Sequence, residues 1–394
     1  MTQIPALDDR PSGRIPVLIV SGTRPEIIKL APLYHALRET TWAHPFWLHT
    51  GQHGDMATQM LECFDIAPDY ALQRGGESLL EFSTHSRLQL DRVMAERPWS
   101  AVVVQGDTET AFQGALAAFY RQVTVAHVEA GLRTYNLARP FPEEGLRQMI
   151  SRVTRFHFAP TARAAAALRD EGIRDDNVFL TGNTVIDAQH WVARRHGVRR
   201  RVEGRGHVLV TMHRREHWGE ELRQACLAIA DIAGRHPDVQ VVFPVHLNPV
   251  VHDMAHALLS GLPNVRLCAP MGYVDMQRAM ADAWLVLTDS GGLQEEAPTY
   301  QVPVVVLRDE TERPEVIEAG CGVLVGTDRR KLVDVVDRLL THDDAYRAMQ
   351  TGTNPFGDGK AAIQIAEHLR RGLGIQPAPT QPEVHSSQAP EMAT

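Results

Sequence analysis

The sequence predicts an α/β protein of two Rossmann-like, doubly wound domains facing a cleft. Short apolar runs of strand length alternate with amphipathic helical stretches along nearly the whole chain, the pattern of parallel sheets with helical crossovers. The alternation comes in two series, separated by a charged, Gly-interrupted stretch at 185–206. In both series Ser, Thr, Asp, Gly, Arg and His collect just after the apolar runs, and open parallel sheets bind ligands at the carboxyl ends of their strands. The expected plan is a disordered lead (1–14), a first domain (15–185) rejoined by the final helix (355–375), a second domain (186–354) and a disordered tail (376–394).

The first strand is expected at 15–20, followed by the turn Ser21-Gly22-Thr23-Arg24-Pro25. Pro25 suits the first position of a helix whose buried face is Ile27, Ile28, Leu30, Ala31 and Leu33. A strand at 46–49 leads to Thr50-Gly51-Gln52-His53, and helices follow around 56–64 and 78–96. Strands at 101–104 and 123–128 end at Gln105-Gly106-Asp107-Thr108 and at Glu129. A loop rich in Arg, Pro and aromatics (131–142) leads into a helix near Glu143. After a strand at 156–159, Thr161 is a plausible helix N-cap, and a strand at 178–180 precedes Gly182-Asn183. The second series has strands at 207–212, 239–245, 264–268, 284–288, 302–307 and 322–325, and the last helix falls near 360–372. The run Arg199-Arg200-Arg201 reads as a solvated face of the connecting stretch.

With 394 residues there is room for two cores. A net charge of −8 argues against a general nucleic-acid binder but allows a local cationic pocket. The four cysteines, Cys63, Cys226, Cys268 and Cys321, form no CxxC pair, which fits a reducing cytosol. The start of the chain has no apolar signal-peptide core, and no apolar run approaches the ~20 residues that span a bilayer. A soluble, cytoplasmic protein with neither nucleic-acid nor membrane partner is the expectation.

The chemistry is concentrated at 285–315. An apolar strand ends in Asp289-Ser290-Gly291-Gly292, read as a turn, and a helix opens with Gln294, Glu295 and Glu296. Free N–H groups at a helix N-terminus favour a phosphate, and glycines let backbone approach it. Glu296 lies within a turn of that site and could accept ribose hydroxyls, while Arg308 and Arg313 add cations past the next strand. Together they suggest a nucleoside diphosphate site. In the first series, Asp107 and Glu129 end strands, and Glu143 and Glu144 open a helix before Arg147. An N-cap role rivals function for Asp107, and helix-dipole complementarity rivals it for Glu143. Crowded carboxylates raise one another's pKa and make an acid–base pair possible near neutral pH. Lys29, Arg214 and Arg215 add cations, as do Arg24 and His213, which follow strands of the first and second series. His246 reads equally well as a group at the start of the helix before Pro249. The G-x-G-x-x-G fingerprint and HExxH spacing are absent, so neither NAD nor a metal is expected.

The ordered segments SGTRPEIIKLAPL, QGDT, HVEAGLRT, RPFPEEGLRQ, TGNTVIDA, MHRREHWG, PVHLNP and TDSGGLQEEAP…RDETERPE resemble the non-hydrolysing UDP-N-acetylglucosamine 2-epimerases over about 17–370. The resemblance implies the glycosyltransferase-B architecture with UDP in the cleft, no cofactor, and a homodimer. It implies that Ser290, Gly291 and Gly292 hold the diphosphate and Glu296 the ribose. Arg24, Lys29, His213 and Arg313 would bind the nucleotide diphosphate. Asp107, Glu129 and Glu143 would be the acid–base carboxylates, organised by Arg147, with His213 also counted as catalytic. The implied reaction is anti-elimination of UDP to a 2-acetamidoglucal and re-addition after protonation on the opposite face of C2. Three departures stand out: Gln52-His53-Gly54-Asp55, Gly75-Gly76 where an arginine is common, and Met276 where an aromatic often packs by the uracil. The first two fall where some bacterial members form a second, activating UDP-GlcNAc site, so weak or absent activation is expected. Other readings are a 2-epimerase of a modified UDP-sugar of the 2,3-diacetamido uronic acid type, a hydrolysing epimerase, a glycosyltransferase, and a non-catalytic sugar-nucleotide binder.

Overall fold

A computed structural model describes residues 13–52, 55–76, 78–200, 206–213 and 218–376. The expectations for 1–12, His53, Gly54, Arg201, Arg214, Arg215, Glu216 and the tail from 377 lie outside the described residues. In chain order the first half comprises β1 (Ile15–Ser21), α1 (Arg24–Glu39), β2 (Ala43–His49), α2 (Asp55–Cys63), β3 (Tyr70–Ala71), α3 (Leu79–Ala95) and β4 (Ala101–Gln105). It continues with α4 (Glu109–Tyr120), β5 (Thr124–Val128), α5 (Glu143–Val153), β6 (Phe156–Ala159), α6 (Ala162–Asp170), β7 (Val178–Leu180) and α7 (Thr184–His196). The second half comprises β8 (His207–Thr211), α8 (Glu220–Arg235), β9 (Val241–Pro244), α9 (Pro249–Leu259), β10 (Val265–Cys268), α10 (Tyr273–Asp282) and β11 (Ala283–Thr288). Then come α11 (Gly291–Glu296), β12 (Val304–Val306), α12 (Pro314–Glu318), β13 (Gly322–Leu324), α13 (Arg329–Thr341), α14 (Asp343–Ala348) and α15 (Ala361–Gly372).

The strands form two wholly parallel sheets, β3-β2-β1-β4-β5-β6-β7 and β10-β9-β8-β11-β12-β13. Helices cover both faces of such sheets, so their strands are near-continuous apolar runs. Thus all five residues of β4 (AVVVQ) are buried, and Phe243 on β9 and Leu287 on β11 are inaccessible to solvent. The second order is that of the doubly wound dinucleotide-binding fold, and each sheet reverses direction once, at β1/β4 and at β8/β11. Ligands bind outside the strand ends at such switch points. The chain therefore delivers Ser21–Arg24, Gln105–Asp107, Met212–His213 and Asp289–Gly292 to the places where a ligand would sit.

Helix α7 packs against α1 and α15 on one side and against α10 and α11 on the other. The chain crosses back beside it: Asn183 N–H donates to the Phe356 carbonyl at 2.7 Å, and the Asp187 carboxylate accepts from Ala361 and Ala362 N–H, capping α15.

Three local expectations shift. The second strand begins at Ala43 rather than 46, despite Pro45; β3 pairs only with Leu48 and His49, so no ladder donor is missed at Pro45. The two-residue β3 carries no pattern a sequence could show. Most consequentially, the Gly291-Gly292 turn is helical. Ser290 is the N-cap and both glycines are inside α11, where the first N–H groups need no intrahelical partner.

Candidate active site

On the first-sheet side, β1 hands over to α1 through Gly22. A Cβ there would lie 2.1 Å from Thr110 Oγ1, so only glycine fits. Glu26 accepts from Gly22 N–H at 3.1 Å and Thr23 N–H at 2.7 Å, and from the Thr108 hydroxyl at 2.7 Å. Burial raises its pKa to about 7. This carboxylate ties the β1–α1 turn to the β4–α4 turn, fixing Arg24 and Asp107 relative to each other. Arg24 is the first residue of α1 and Pro25 the second. One helical turn on, Lys29 Nζ lies 2.5 Å from Glu129 Oε1.

Glu129 has φ of +62°, a left-handed conformation that costs a non-Gly residue energy and is often found at functional positions. Gln105 donates to its Oε2, and Asn183 to its Oε1 at 3.2 Å. Burial would raise its pKa, but Lys29 and Arg313 outweigh burial and hold it below the usual carboxylate range. Next to it, buried His127 keeps a neutral ring, its pKa lowered by burial to about 4. Its Nε2–H donates to the Gly106 carbonyl at 2.7 Å and pins the turn that precedes Asp107.

Asp107 is not a helix cap. Thr108 caps α4, accepting from Ala111 N–H, and Asp107 instead pairs with Arg147 at 2.6 Å. Burial raises its pKa, Arg147 opposes, and Glu129 and Glu143 add to the rise. Glu144, fully buried, serves structure: it accepts from Thr134 and Tyr135 N–H and so holds the 131–142 loop over α5. It also lies 3.4 Å from Arg147. Glu143, half-buried at the start of α5, faces Asp107 electrostatically.

On the second-sheet side, buried Asp289 accepts from His213 N–H at 3.0 Å and lies 3.1 Å from its Nδ1. Ser290 N–H donates to the Thr288 hydroxyl, and no side chain caps α11, whose opening residues are Gly291 and Gly292. A Cβ on Gly291 would be 4.0 Å from the Arg313 guanidinium. Arg313, the N-cap of α12, donates to Glu295 and approaches Glu129 at 3.8 Å. Glu296 is buried and accepts from Gln277; burial raises its pKa to about 7, while Arg24 and Lys29 pull it down. Met276 is half-buried against the core beside that Gln277. His246 accepts from Asn248 N–H at the start of α9, the bland reading of that histidine.

The structure thus joins Lys29, Glu129 and Arg313 directly, joins Asp107 to Arg147, and couples Arg24 to Glu296 through space. His213 is tied to Asp289 rather than to these groups. Gln105, Asn183, Gln277 and Glu295 contact site residues without having been assigned a role; Gln105, Asn183 and Glu295 stand in motifs already quoted, whereas Gln277 stands in none and carried no signal. Two cavities, of about 580 and 750 Å3, lie elsewhere, at the Gly182–Gly357 crossing and beside Arg155, Arg174 and Arg371.

The arrangement offers cations and a helix N-terminus for a diphosphate, and next to them two carboxylates of opposite proton affinity. Residues 35–370 match the family model described as UDP-N-acetylglucosamine 2-epimerase. The chain belongs to that family. It is 44% identical over 370 residues to the UDP-N-acetylglucosamine 2-epimerase of Yersinia pestis, covering 90% of this chain and 98% of that one. Identity to the Bacillus subtilis enzyme is 44% over 361 residues, with 90% and 95% covered. The fold is similar to that of the UDP-GlcNAc 2-epimerase from Neisseria meningitidis bound to UDP-GlcNAc, with a TM-score of 0.85 at 38% identity over 91% of this chain and all of that one. A glycosyltransferase of kitacinnamycin shares the two-sheet fold alone, at 11% identity and a TM-score of 0.62. Among the described residues no helix is long and apolar enough to cross a membrane.

Proposed function

We infer that this chain interconverts UDP-GlcNAc and UDP-ManNAc without hydrolysing either. The observation that carries the reading is the junction itself: Asp107 and Glu129 follow adjacent strands, Glu129 meets the cations Lys29 and Arg313, and Asp107 pairs with Arg147. The proton on C2 of the sugar is weakly acidic, so its removal must accompany cleavage of the anomeric C–O bond. A carboxylate takes that proton while Arg313, Lys29, Arg24 and the Ser290-Gly291-Gly292 N–H groups stabilise the departing UDP. UDP is then held while a proton is returned to C2 from the opposite face, and its phosphate oxygen re-forms the bond to C1. Atoms balance with no redox partner. Burial raises the proton affinity of Asp107 against the pull of Arg147, Glu143 adds to that rise, and the cations favour an ionised Glu129. Glu296 receives the ribose, Met276 lies by the base, and His213 is held against Asp289 toward the diphosphate.

The enzyme acts in the cytoplasm as a homodimer. Its four free cysteines suit a reducing compartment. Leu80 and Leu88, two turns apart on α3, Phe119 and Tyr120 of α4 and Met149 of α5 are all exposed, on helices where α3 packs on α4 and α4 on α5, and such apolar exposure suits a subunit contact. Sedimentation of Leu80→Glu as a monomer, against a dimeric parent, supports this; a parent that sediments as a monomer refutes it.

Incubation with UDP-GlcNAc in heavy water, followed by NMR of the sugar protons, tests the chemistry. UDP-ManNAc deuterated at C2 is the expected product. Free ManNAc with UDP would mean hydrolysis. No reaction from a UDP-binding sample would exclude this substrate and direct the assay to diacetamido uronic acid sugars.

A further inference from the structure

Four buried side chains of alternating charge close a ring across the junction of the two halves. Lys29, on α1, and Glu129, after β5, come from the seven-stranded half. Glu295, on α11, and Arg313, at the start of α12, come from the six-stranded half. Lys29 lies 2.5 Å from Glu129 and 3.3 Å from Glu295. Arg313 donates through Nε to Glu295 and stands 3.8 Å from Glu129. Glu295, like Glu129, touches both cations, but it alone of the ring lies in neither of the roles already proposed.

Its surroundings argue against a packing role. The Glu295 side chain is about as buried as any leucine of the core, at 1% exposure, yet its Oε2 accepts no hydrogen bond. Lys29 meets that oxygen without the alignment of a hydrogen bond. Burying a carboxylate with one oxygen unsatisfied is costly, and buried ion pairs are poor stabilisers once desolvation is counted. An apolar set of side chains in place of the whole ring would serve stability at least as well. A charge kept in that position fixes the two cations instead. Without it, Lys29 and Arg313 would repel each other across the junction, and both would be free to turn toward solvent or wholly onto Glu129.

We propose that Glu295 is a positioning residue for the epimerisation: it holds Lys29 and Arg313, one from each half, at the spacing that presents them together to Glu129 and to the departing diphosphate. The inference rests on the proposed function and deepens it. The same negative charge also repels a diphosphate bound beside Arg313. Glu295 therefore aligns the cations for catalysis at some expense to ground-state nucleotide affinity, and the two effects separate on substitution.

The test compares the parent enzyme with Glu295→Gln and Glu295→Asp, measuring kcat for UDP-GlcNAc epimerisation, the Kd of UDP by calorimetry, and Tm. Glutamine keeps the shape and a hydrogen bond to Arg313 but loses the charge. Its kcat should fall about 10- to 100-fold, while UDP binds as tightly as to the parent or tighter. Aspartate keeps the charge but is one methylene too short to reach both cations, and its kcat should lie between the two. Glutamine within about threefold of the parent rate would overturn the proposal. So would equal losses of kcat and UDP affinity, which would mark a merely structural role. If the glutamine variant does not fold, aspartate decides alone: a rate about threefold or more below the parent with unchanged UDP binding supports the proposal, and a parental rate overturns it. A parent protein that binds UDP but leaves UDP-GlcNAc unaltered would instead refute the functional reading, and the positioning role falls with it.

Discussion

Replacing Glu26 by glutamine should stabilise the protein strongly at pH 8 and by less than about 1 kcal/mol at pH 5. Glu26 is inaccessible to solvent, and burial raises its pKa from 4.5 to about 7 despite three hydrogen-bond donors. The folded state therefore holds this proton more tightly than the unfolded chain. Stability is fully present below pH 4.5 and is lost as pH rises toward 7, because ionising the buried carboxyl costs the native state alone. At about 1.4 kcal/mol per pH unit, the displacement corresponds to a loss of about 3 kcal/mol by pH 8. Glutamine removes the ionisation and keeps the contacts. Its carbonyl can accept from Gly22 and Thr23 N–H, and its amide can donate to Thr108 Oγ1, which already accepts from Ala111 N–H and has a second lone pair. Calorimetric unfolding of parent and Glu26→Gln at pH 5 and pH 8 reads the effect. In a domain of this size about 3 kcal/mol moves Tm by roughly 6–12 °C, so the variant should lead the parent by about that much at pH 8 only. Glu296, whose pKa is also about 7, is common to both proteins and cancels. A variant-minus-parent difference that is the same at both pH values would refute the reasoning.

Asp107→Asn and Glu129→Gln should each lower turnover by about 10²- to 10⁴-fold while UDP still binds in calorimetry; near-parental rates in both would remove them from the chemistry. Gly22→Ala should lower stability by about 1–3 kcal/mol, read by thermal melting, because its methyl would overlap the Thr110 and Thr50 hydroxyls at 2.1 and 2.4 Å. Rate against UDP-GlcNAc concentration should be hyperbolic with no lag. A Cβ on Gly75 would run into the His85 ring and one on Gly76 into Glu81, so the backbone there packs too closely for a side chain, and a sigmoidal curve would show that a second sugar nucleotide acts nonetheless.

Most strands were legible because parallel sheets bury both faces, so each strand is an apolar run that local sequence announces. Asp107 and Glu129 were legible because they follow those runs directly. What local sequence hid depends on contacts between halves. Glu295 reads as an ordinary helical acid beside Glu296 until α1 brings Lys29 to it. Gln105 and Asn183 look like strand-end and helix-cap polars, and Asn183 does cap α7, yet both also hold Glu129. The positive φ of Glu129 was invisible because no glycine marks it. The Gly-Gly pair misled in the other direction: low helix propensity suggests a turn, but in the first helical turn the penalty is small and the absent side chains leave N–H groups open.

The ring also bears on how the proposed reaction resets itself. After one epimerisation the carboxylate that took a proton is loaded and its partner is empty, so a rigid pair would be primed only for the reverse reaction. Here the pair is coupled. The negative charge of Glu129 helps to raise the pKa of Asp107, favouring a proton there while Glu129 is ionised. When Glu129 takes the proton from C2 that contribution vanishes, and Asp107, still paired with Arg147, becomes the stronger acid at the moment the opposite face of C2 needs protonation. Once UDP-ManNAc leaves, Lys29 and Arg313 again favour an ionised Glu129, and its proton can return to Asp107 or to water. The cations that stabilise the leaving diphosphate therefore also restore the starting protonation state, a reason for both to reach Glu129 from opposite halves of the chain.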